Sequence, residues 1–366
     1  MNLALLIGHF PPGAFGGAEL QAEGWARRLA DRHGVTVVTR RDPATQPSAE
    51  ARDGFRVVRL PVSRVPLLRT TRDLSATVRA VAGLSPRPDL VLCFQTFISG
   101  WAGVRAQRRL GIPAVVWVRG EGEFRLRESR LMRWLGPRVW ASARGVIVQS
   151  ESIRDTLLDE LARSAPGARA AVAGRLEVVP NGLDLPPAVE PPGERVLTVG
   201  RLIPDKGMET VVDAMAGLPG GLTLAGEGPE RGRLEARARA QGVDARFTGF
   251  VPRARLDALY REAWVVVLAA RRGEGLPNVV LEAFAHGRPV VATPIAGVAD
   301  LVVDGINGIL VAPDDPHALR DALGRLAGDR TLAERMGRAG RRSAEAYGWA
   351  AVRPRLEALL ERWRAR

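Results

Sequence analysis

The chain has 366 residues, 46% hydrophobic and 25% charged, a balance that suits two globular domains and excludes a fibrous or disordered protein. Its formal net charge is +13, and the single cysteine, Cys93, sits inside an apolar run, which excludes a disulfide framework and leaves a cytoplasmic setting as the default expectation. The charge is uneven: residues 1–183 carry 27 Arg against 16 acids, whereas residues 184–366 carry 26 basic residues against 24 acids. A basic first half fits an anionic partner, whether nucleic acid, acidic lipid or phosphorylated substrate, although near-exclusive use of Arg equally fits coding bias and a solvated surface.

In chain order, Leu3–Ile7 reads as a first strand, because the stretch before Gly8 has no basic leader and runs straight into a loop, unlike a signal peptide. The loop from Gly8 to Glu19 places Gly16 and Gly17 directly before a helical pattern over Ala18–Arg32. Backbone amides there can approach an anion closely, aided by the helix dipole. The spacing is not that of a dinucleotide fingerprint, and a Gly-rich turn often only makes a turn. His9 lies in the same loop within reach of a ligand, although a lone His in a turn is more often structural. Strands follow at Val35–Thr39, Val57–Leu60, Leu90–Phe94, Ala114–Val118, Val146–Gln149 and Leu176–Val179, alternating with helical stretches such as Ser150–Arg163. Such alternation predicts parallel sheets covered by helices on both faces. Between two of these strands, residues 124–140 interleave five Arg with Leu, Met and Trp. That pattern fits a basic amphipathic surface on anionic lipid, and fits better a core-facing helix with a solvated Arg face.

Pro and Gly crowd the segment from Pro180 to Pro187 and again Glu190 to Gly193, predicting a linker. A second alternation starts at Val196–Val199 and continues through Leu222–Ala225, Arg246–Thr248, Val265–Leu268, Pro289–Ala292 and Gly308–Val311. Helices near Pro316–Leu326, Thr331–Tyr347 and Trp349–Trp363 close the chain. The expected fold class is therefore α/β: two doubly wound, Rossmann-like domains facing across a cleft. Every apolar run is too short to span a bilayer.

In such sheets ligands bind beyond the carboxyl ends of the strands. The loop Gly200-Arg-Leu-Ile-Pro-Asp-Lys-Gly207 leaves a strand, enters a helix and carries two cations. Lys206 is the only lysine in the sequence, which suggests that a compact ammonium is required there, and Arg201 adds a forked grip on phosphate. The segment Arg271-Arg-Gly-Glu-Gly-Leu-Pro-Asn-Val-Val-Leu-Glu282 has the same strand-to-helix setting. Glu274 and Glu282 read either as an acid/base pair or as two grips on different hydroxyls of one ligand, with amides at Asn278 and Val279 facing phosphate oxygens. His286 and His317 read as surface or helix-end residues.

Val179-Pro-Asn-Gly-Leu-Asp184, Val199–Gly207, Gly226-Glu-Gly-Pro229, Phe247-Thr-Gly-Phe250, Glu274–Glu282, Gly287–Thr293 and Asp304-Gly-Ile-Asn-Gly308 together resemble the retaining family-4 glycosyltransferases of the GT-B fold. Gly16-Gly17-Ala-Glu19 and Tyr347-Gly-Trp349 extend the likeness to both ends. The resemblance implies an acceptor-binding domain over 1–180, a nucleotide-sugar domain over 181–347, and a last helix over 348–366 that crosses back to the first domain. It implies that Arg201, Lys206 and Glu274 act on the donor diphosphate and sugar. Gly16, Gly17, Gly226, Gly228, Phe250, Asn278, Val279, Val280 and Glu282 are implied as donor-binding. No cofactor and no metal are implied; the donor is a UDP- or GDP-linked sugar and the acceptor a glycan or lipid-linked precursor of cell-surface polysaccharide or glycolipid. Many relatives carry a His where this chain has Arg119, so no His base is assigned; Arg119 and His9 are read as acceptor or sugar contacts. A GT-B sugar-nucleotide epimerase and a non-catalytic or hydrolytic sugar-nucleotide binder are the alternatives. Nucleic-acid binding is disfavoured, since 2 Tyr and 9 Phe offer no stacking platform among the basic residues.

Overall fold

The structure is a computed structural model; it describes all residues except 13–15, 42–45, 63–65, 121–122, 124–129, 273–274 and 366, and excludes the side chains of 66–69, 132 and 254. The chain divides into two compact units, residues 1–182 with 349–366, and residues 183–348.

The first unit holds β1 (Asn2–Leu6), β2 (Gly34–Arg41), β3 (Ala49–Arg52), β4 (Phe55–Pro61), β5 (Leu90–Phe94), β6 (Ala114–Trp117), β7 (Gly145–Val148) and β8 (Leu176–Val178). They line up as β3-β4-β2-β1-β5-β6-β7-β8. All neighbours are parallel except β3 and β4. The alternation of side chains on β1 shows why the sheet needs cover on both faces: Ala4 and Leu6 join one buried cluster, Leu3 and Leu5 the other. On the Leu3 face the closing helix, Trp349–Arg364, contributes Val352, Leu356, Leu360 and Trp363. Gly24 and Gly182 leave room for the Trp349 ring, and Gly145 for that of Trp363.

The antiparallel strand β3 was not anticipated, because Ala-Glu-Ala-Arg carries no apolar alternation. Asp53 and Gly54, both at positive φ, make a two-residue hairpin turn, and Arg59 pairs with Glu50 at 2.7 Å across it. The expected linker also differs at its start. Residues 180–183 are buried, and the Gln21 amide bonds both the N–H and the carbonyl of Gly182, at 3.1 and 2.8 Å.

The second unit holds β9 (Arg195–Val199), β10 (Gly221–Ala225), β11 (Ala245–Gly249), β12 (Ala263–Leu268), β13 (Val290–Ala292) and β14 (Gly308–Leu310), all parallel, in the order β11-β10-β9-β12-β13-β14. The sheet order turns back between β1 and β5 in the first unit and between β9 and β12 in the second. At such switch points the flanking loops diverge to opposite faces and leave a crevice at the carboxyl ends of the strands. Among the described residues no helix is long and apolar enough to cross a membrane.

Candidate active site

The two loops singled out in the second half of the sequence, after β9 and after β12, flank the switch point of the second sheet. Three devices fix the first of them. Backbone bonds join it to the β10 loop: Gly200 N–H donates to Ala225 O at 3.0 Å, Leu202 N–H to Glu227 O at 2.8 Å, and Glu230 N–H to Leu202 O at 3.1 Å. The approach is so close that a Cβ on Gly226 would run into Gly200 O, and one on Gly228 into Leu202 O. Gly207, at φ 62°, turns the chain against Ala269 O at the end of β12, where no side chain fits. Finally Arg271 pins the loop from the β12 side. Its backbone N–H donates to Asp205 O at 2.9 Å and its Nη1 to Pro204 O at 2.8 Å, while its remaining nitrogens pair with Glu209 and Asp314. Burial alone would raise the Glu209 carboxyl; hydrogen bonds and charge from Arg271 and Arg233 outweigh it and hold the group below the usual carboxylate range. The result is a rigid mount for Arg201, which is exposed, and Lys206, which is half-buried in the turn Pro204–Lys206.

Glu274 lies outside the described residues. The helix it precedes, Asn278–Ala285, starts after Pro277. The Val280 N–H closes on Pro277 O at 3.2 Å, so its amide is committed to the helix, and the backbone donors ahead of the first helical bond are those of Asn278 and Val279. Glu282 is buried at 7% exposure, yet it is not stranded. Its Oε2 accepts from the Tyr260 hydroxyl at 2.7 Å, and Oε1 forms an ion pair with Arg253. Burial and the Glu282 charge push the Tyr260 hydroxyl up, so it stays a donor. His286 does follow the helix end but is buried, stacked on Tyr260 at 5.1 Å with Nδ1 2.8 Å from Glu282 O, and burial lowers its pKa. His317 is exposed. Phe250, just past β11, is 49% exposed, and Gly226 and Gly228 lie on the same carboxyl edge. Arg253, Tyr260 and Arg271 are the site residues that sequence reasoning missed. Arg271 stood inside the quoted loop; the other two carry no local signal, since their partner is 29 and 22 residues away.

The first unit presents its own edge. His9 is exposed past β1. Gly16 and Gly17 begin the helix Gly17–Ala30, with the Glu19 carboxylate folded back over Gly16. After β5 the backbone turns sharply, with Gln95 at φ 83° and Ile98 at φ 28°, and Glu123 Oε2 accepts from Thr96 N–H at 2.6 Å to hold the turn. Arg119 follows β6 and donates from Nη2 to Asn181 Oδ1 at 2.9 Å, and the Gln149 side chain is placed to accept from the same Nη2 at 3.2 Å and to donate to the Arg119 carbonyl at 2.8 Å. Of the basic stretch 124–140, residues 124–129 lie outside the description; the rest forms the helix Arg130–Ser142. That helix buries Leu135, Val139 and Trp140 and exposes Arg133 and Arg138, and it also exposes Leu131 and Trp134. Among the described residues no group of three or more His, Cys, Asp or Glu could hold a metal ion.

Two cations and a helix start thus lie at the carboxyl edge of the second sheet, and the same helix carries the buried carboxylate of Glu282. Comparison with known proteins gives the family. Residues 16–182 match the glycosyl transferase 4-like domain and residues 193–329 match glycosyl transferases group 1. The chain belongs to the group 1 glycosyltransferases, of the 4-like kind. This glycosyltransferase is 29% identical to a D-inositol 3-phosphate glycosyltransferase of Xylanimonas cellulosilytica, over 95% of this chain and 93% of that one. It is 28% identical to a GDP-mannose-dependent alpha-(1-6)-phosphatidylinositol monomannoside mannosyltransferase of Mycolicibacterium smegmatis, over 98% of each chain. Some matches are partial: one relative is 31% identical over 195 residues that make up 20% of its length. In fold the glycosyltransferase superposes on sucrose-phosphate synthase from Thermosynechococcus elongatus with a TM-score of 0.86 at 24% identity, covering 100% of this chain and 99% of the other. The fold is GT-B.

Proposed function

We propose that this enzyme moves a sugar from a UDP- or GDP-linked donor to a glycan or lipid-linked acceptor, with retention at the anomeric carbon and without a metal or other cofactor, in cell-surface polysaccharide or glycolipid synthesis. The observation that carries the reading is the mounting of Arg201 and Lys206 on a loop held by the β10 glycines and by Arg271 at the switch point of the second sheet. Cations fixed in advance stabilise charge that develops on a leaving diphosphate without reorganising during the reaction. The C1–O bond to the diphosphate breaks as the acceptor hydroxyl bonds to C1 from the same face, and its proton passes to the leaving phosphate oxygen, so no protein base is assigned. In this reading Glu274 holds sugar hydroxyls, Glu282 the ribose, Asn278 and Val279 the phosphates, and Phe250 with Gly226–Pro229 the base. The names of the two full-length relatives supply the precedent for nucleotide-sugar donors and for inositol-phosphate or lipid acceptors.

The decisive experiment follows nucleotide release and sugar transfer across UDP-, GDP- and ADP-sugars, with and without a chelator, and reads the product anomer by NMR. Lys206→Ala should lower kcat by about a hundredfold to a thousandfold, the range for removing one preorganised charge-stabilising donor. Binding without turnover would favour the non-catalytic reading, an epimerised donor the epimerase, and activity lost on chelation would remove the metal-free part.

The same reading extends to a membrane surface. Trp134 and Leu131 are 54% and 55% exposed on a helix whose outward side also carries Arg133 and Arg138, with the Arg138 guanidinium 4.2 Å from the Trp134 ring centre. An apolar pair framed by Arg fits peripheral contact with anionic lipid. Flotation with phosphatidylserine vesicles at low salt checks it, and a protein that stays at the bottom of the gradient removes the membrane part alone.

A further inference from the structure

The Arg119 guanidinium is firmly positioned and poorly satisfied. The Trp117 and Phe94 rings lie 5.2 and 5.5 Å from its Cζ, and Asn181 accepts from Nη2. These contacts fix the plane of the group by cation–π attraction and one hydrogen bond. Yet Nε and Nη1 are buried and have no hydrogen-bond partner among the described residues. The nearby buried carboxylate does not close on them: Glu123 accepts from the backbone N–H of Arg119 with Oε1 and from that of Thr96 with Oε2. Burial accordingly lowers the Arg119 pKa to about 10, against the opposing charges of Glu123 and Glu19.

Arg288 directs its N–H groups to the carbonyls of Tyr260 and Pro191, at 3.0 and 3.1 Å, and the buried Arg59, whose Nε and Nη1 are likewise unpartnered, is neutralised by Glu50, whereas no carboxylate closes on the Arg119 guanidinium among the described residues. Burying donors of a charged group without acceptors is costly, and an oxyanion recovers that cost through charge-assisted bonds. The place is right for a ligand: Arg119 follows β6, next to β5, at the switch-point edge of the first sheet, near enough to Glu19 at the Gly16–Gly17 helix start to feel its charge. Resting on the transferase reading above, we propose that Arg119 receives an oxyanion of the substrate, a carboxylate or a phosphate monoester, and so selects an anionic sugar or acceptor over its neutral counterpart.

The test is titration calorimetry on the full chain with two matched pairs: UDP-glucuronate against UDP-glucose, and, with UDP present, inositol 3-phosphate against inositol. The expected result is that one pair shows a preference of about tenfold or more for its anionic member, the scale of one hydrogen bond to a charged group. A response in the donor pair assigns a sugar carboxylate; one in the acceptor pair assigns a phosphate. Arg119→Gln should reduce the preference to below about threefold while leaving UDP affinity unchanged, and Arg119→Lys, which keeps the charge but not the fork, should retain part of it. Protease resistance of residues 1–182 serves as the folding control, since UDP binding reports on the second unit alone, and Arg119→Lys carries the test if the Gln variant does not fold. The proposal is overturned if neither pair prefers its anionic member, or if Arg119→Gln keeps the preference. Failure of the transferase reading looks different: no nucleotide binds and no sugar moves, whichever residue stands at 119.

Discussion

At Glu282 each carboxylate oxygen has its own partner, and the two partners differ in what they can do without it. Tyr260 is fully buried, so its hydroxyl cannot turn to water, whereas the Arg253 side chain is 43% exposed and can. Glu282→Gln keeps the shape and one acceptor for Tyr260 but removes the charge that faces Arg253 and, in the proposed complex, the ribose. Losing hydrogen bonds to a charged group costs about 1.5–3 kcal/mol, so kcat/KM for the donor should fall by about tenfold to a hundredfold. The loss should appear mainly in KM, since the ribose is bound alike in the ground and transition states. Glu282→Ala should in addition lower the melting temperature by stranding the Tyr260 hydroxyl. Donor saturation curves and thermal unfolding check both, and an unchanged KM in the Gln variant would remove Glu282 from the donor site.

At the scale of elements, the donor edge depends on backbone approaching backbone. The β9 and β10 loops are held together by three main-chain bonds and by the missing side chains of Gly226 and Gly228. Gly228→Ala puts a methyl into the carbonyl of Leu202, which cannot move without breaking its bond to Glu230. Overpacking of this kind costs about 1–3 kcal/mol. The expected outcome is a lower melting temperature together with weaker UDP binding, measured by calorimetry; a variant with wild-type UDP affinity would show that the clasp does not shape the site. Gly228 also marks the limit of what the sequence made legible. Strands such as Val265–Leu268 were readable because burial on both faces leaves an unbroken apolar run, and the glycine-rich loops because only Gly permits such turns. β3 was not, because hairpin pairing with β4 and the Arg59–Glu50 contact make it a strand, not its own composition. In the site the cations of the β9 loop were legible as unusual residues in a telling place. The groups that position them and Glu282 were not, because Arg271, Arg253 and Tyr260 act through contacts distant in sequence.

For the whole molecule, the first unit is discontinuous in sequence: its sheet comes from the start of the chain and one of its helices from the end. The closing helix buries Val352, Leu356, Leu360 and Trp363 on the Leu3 face of that sheet, and Trp363 fills the space that Gly145 leaves at the start of β7. Each such side chain contributes about 1.5–3 kcal/mol on burial, so the four together rival the total stability of an ordinary domain, about 5–15 kcal/mol. Trp363→Ala alone should destabilise the first unit by about 3–5 kcal/mol, because a cavity the size of an indole remains over a glycine that cannot refill it. The second unit has its own two clusters, in which the closing helix takes no part. A chain ending at Gly348 should therefore lose the protease resistance of residues 1–182 while residues 183–348 stay resistant and still bind UDP. Limited proteolysis followed by mass spectrometry reads both outcomes in one experiment. If residues 1–182 remain protected in that truncated chain, the helix is dispensable packing; if both units are digested, the second core depends on the first, contrary to its separate clusters.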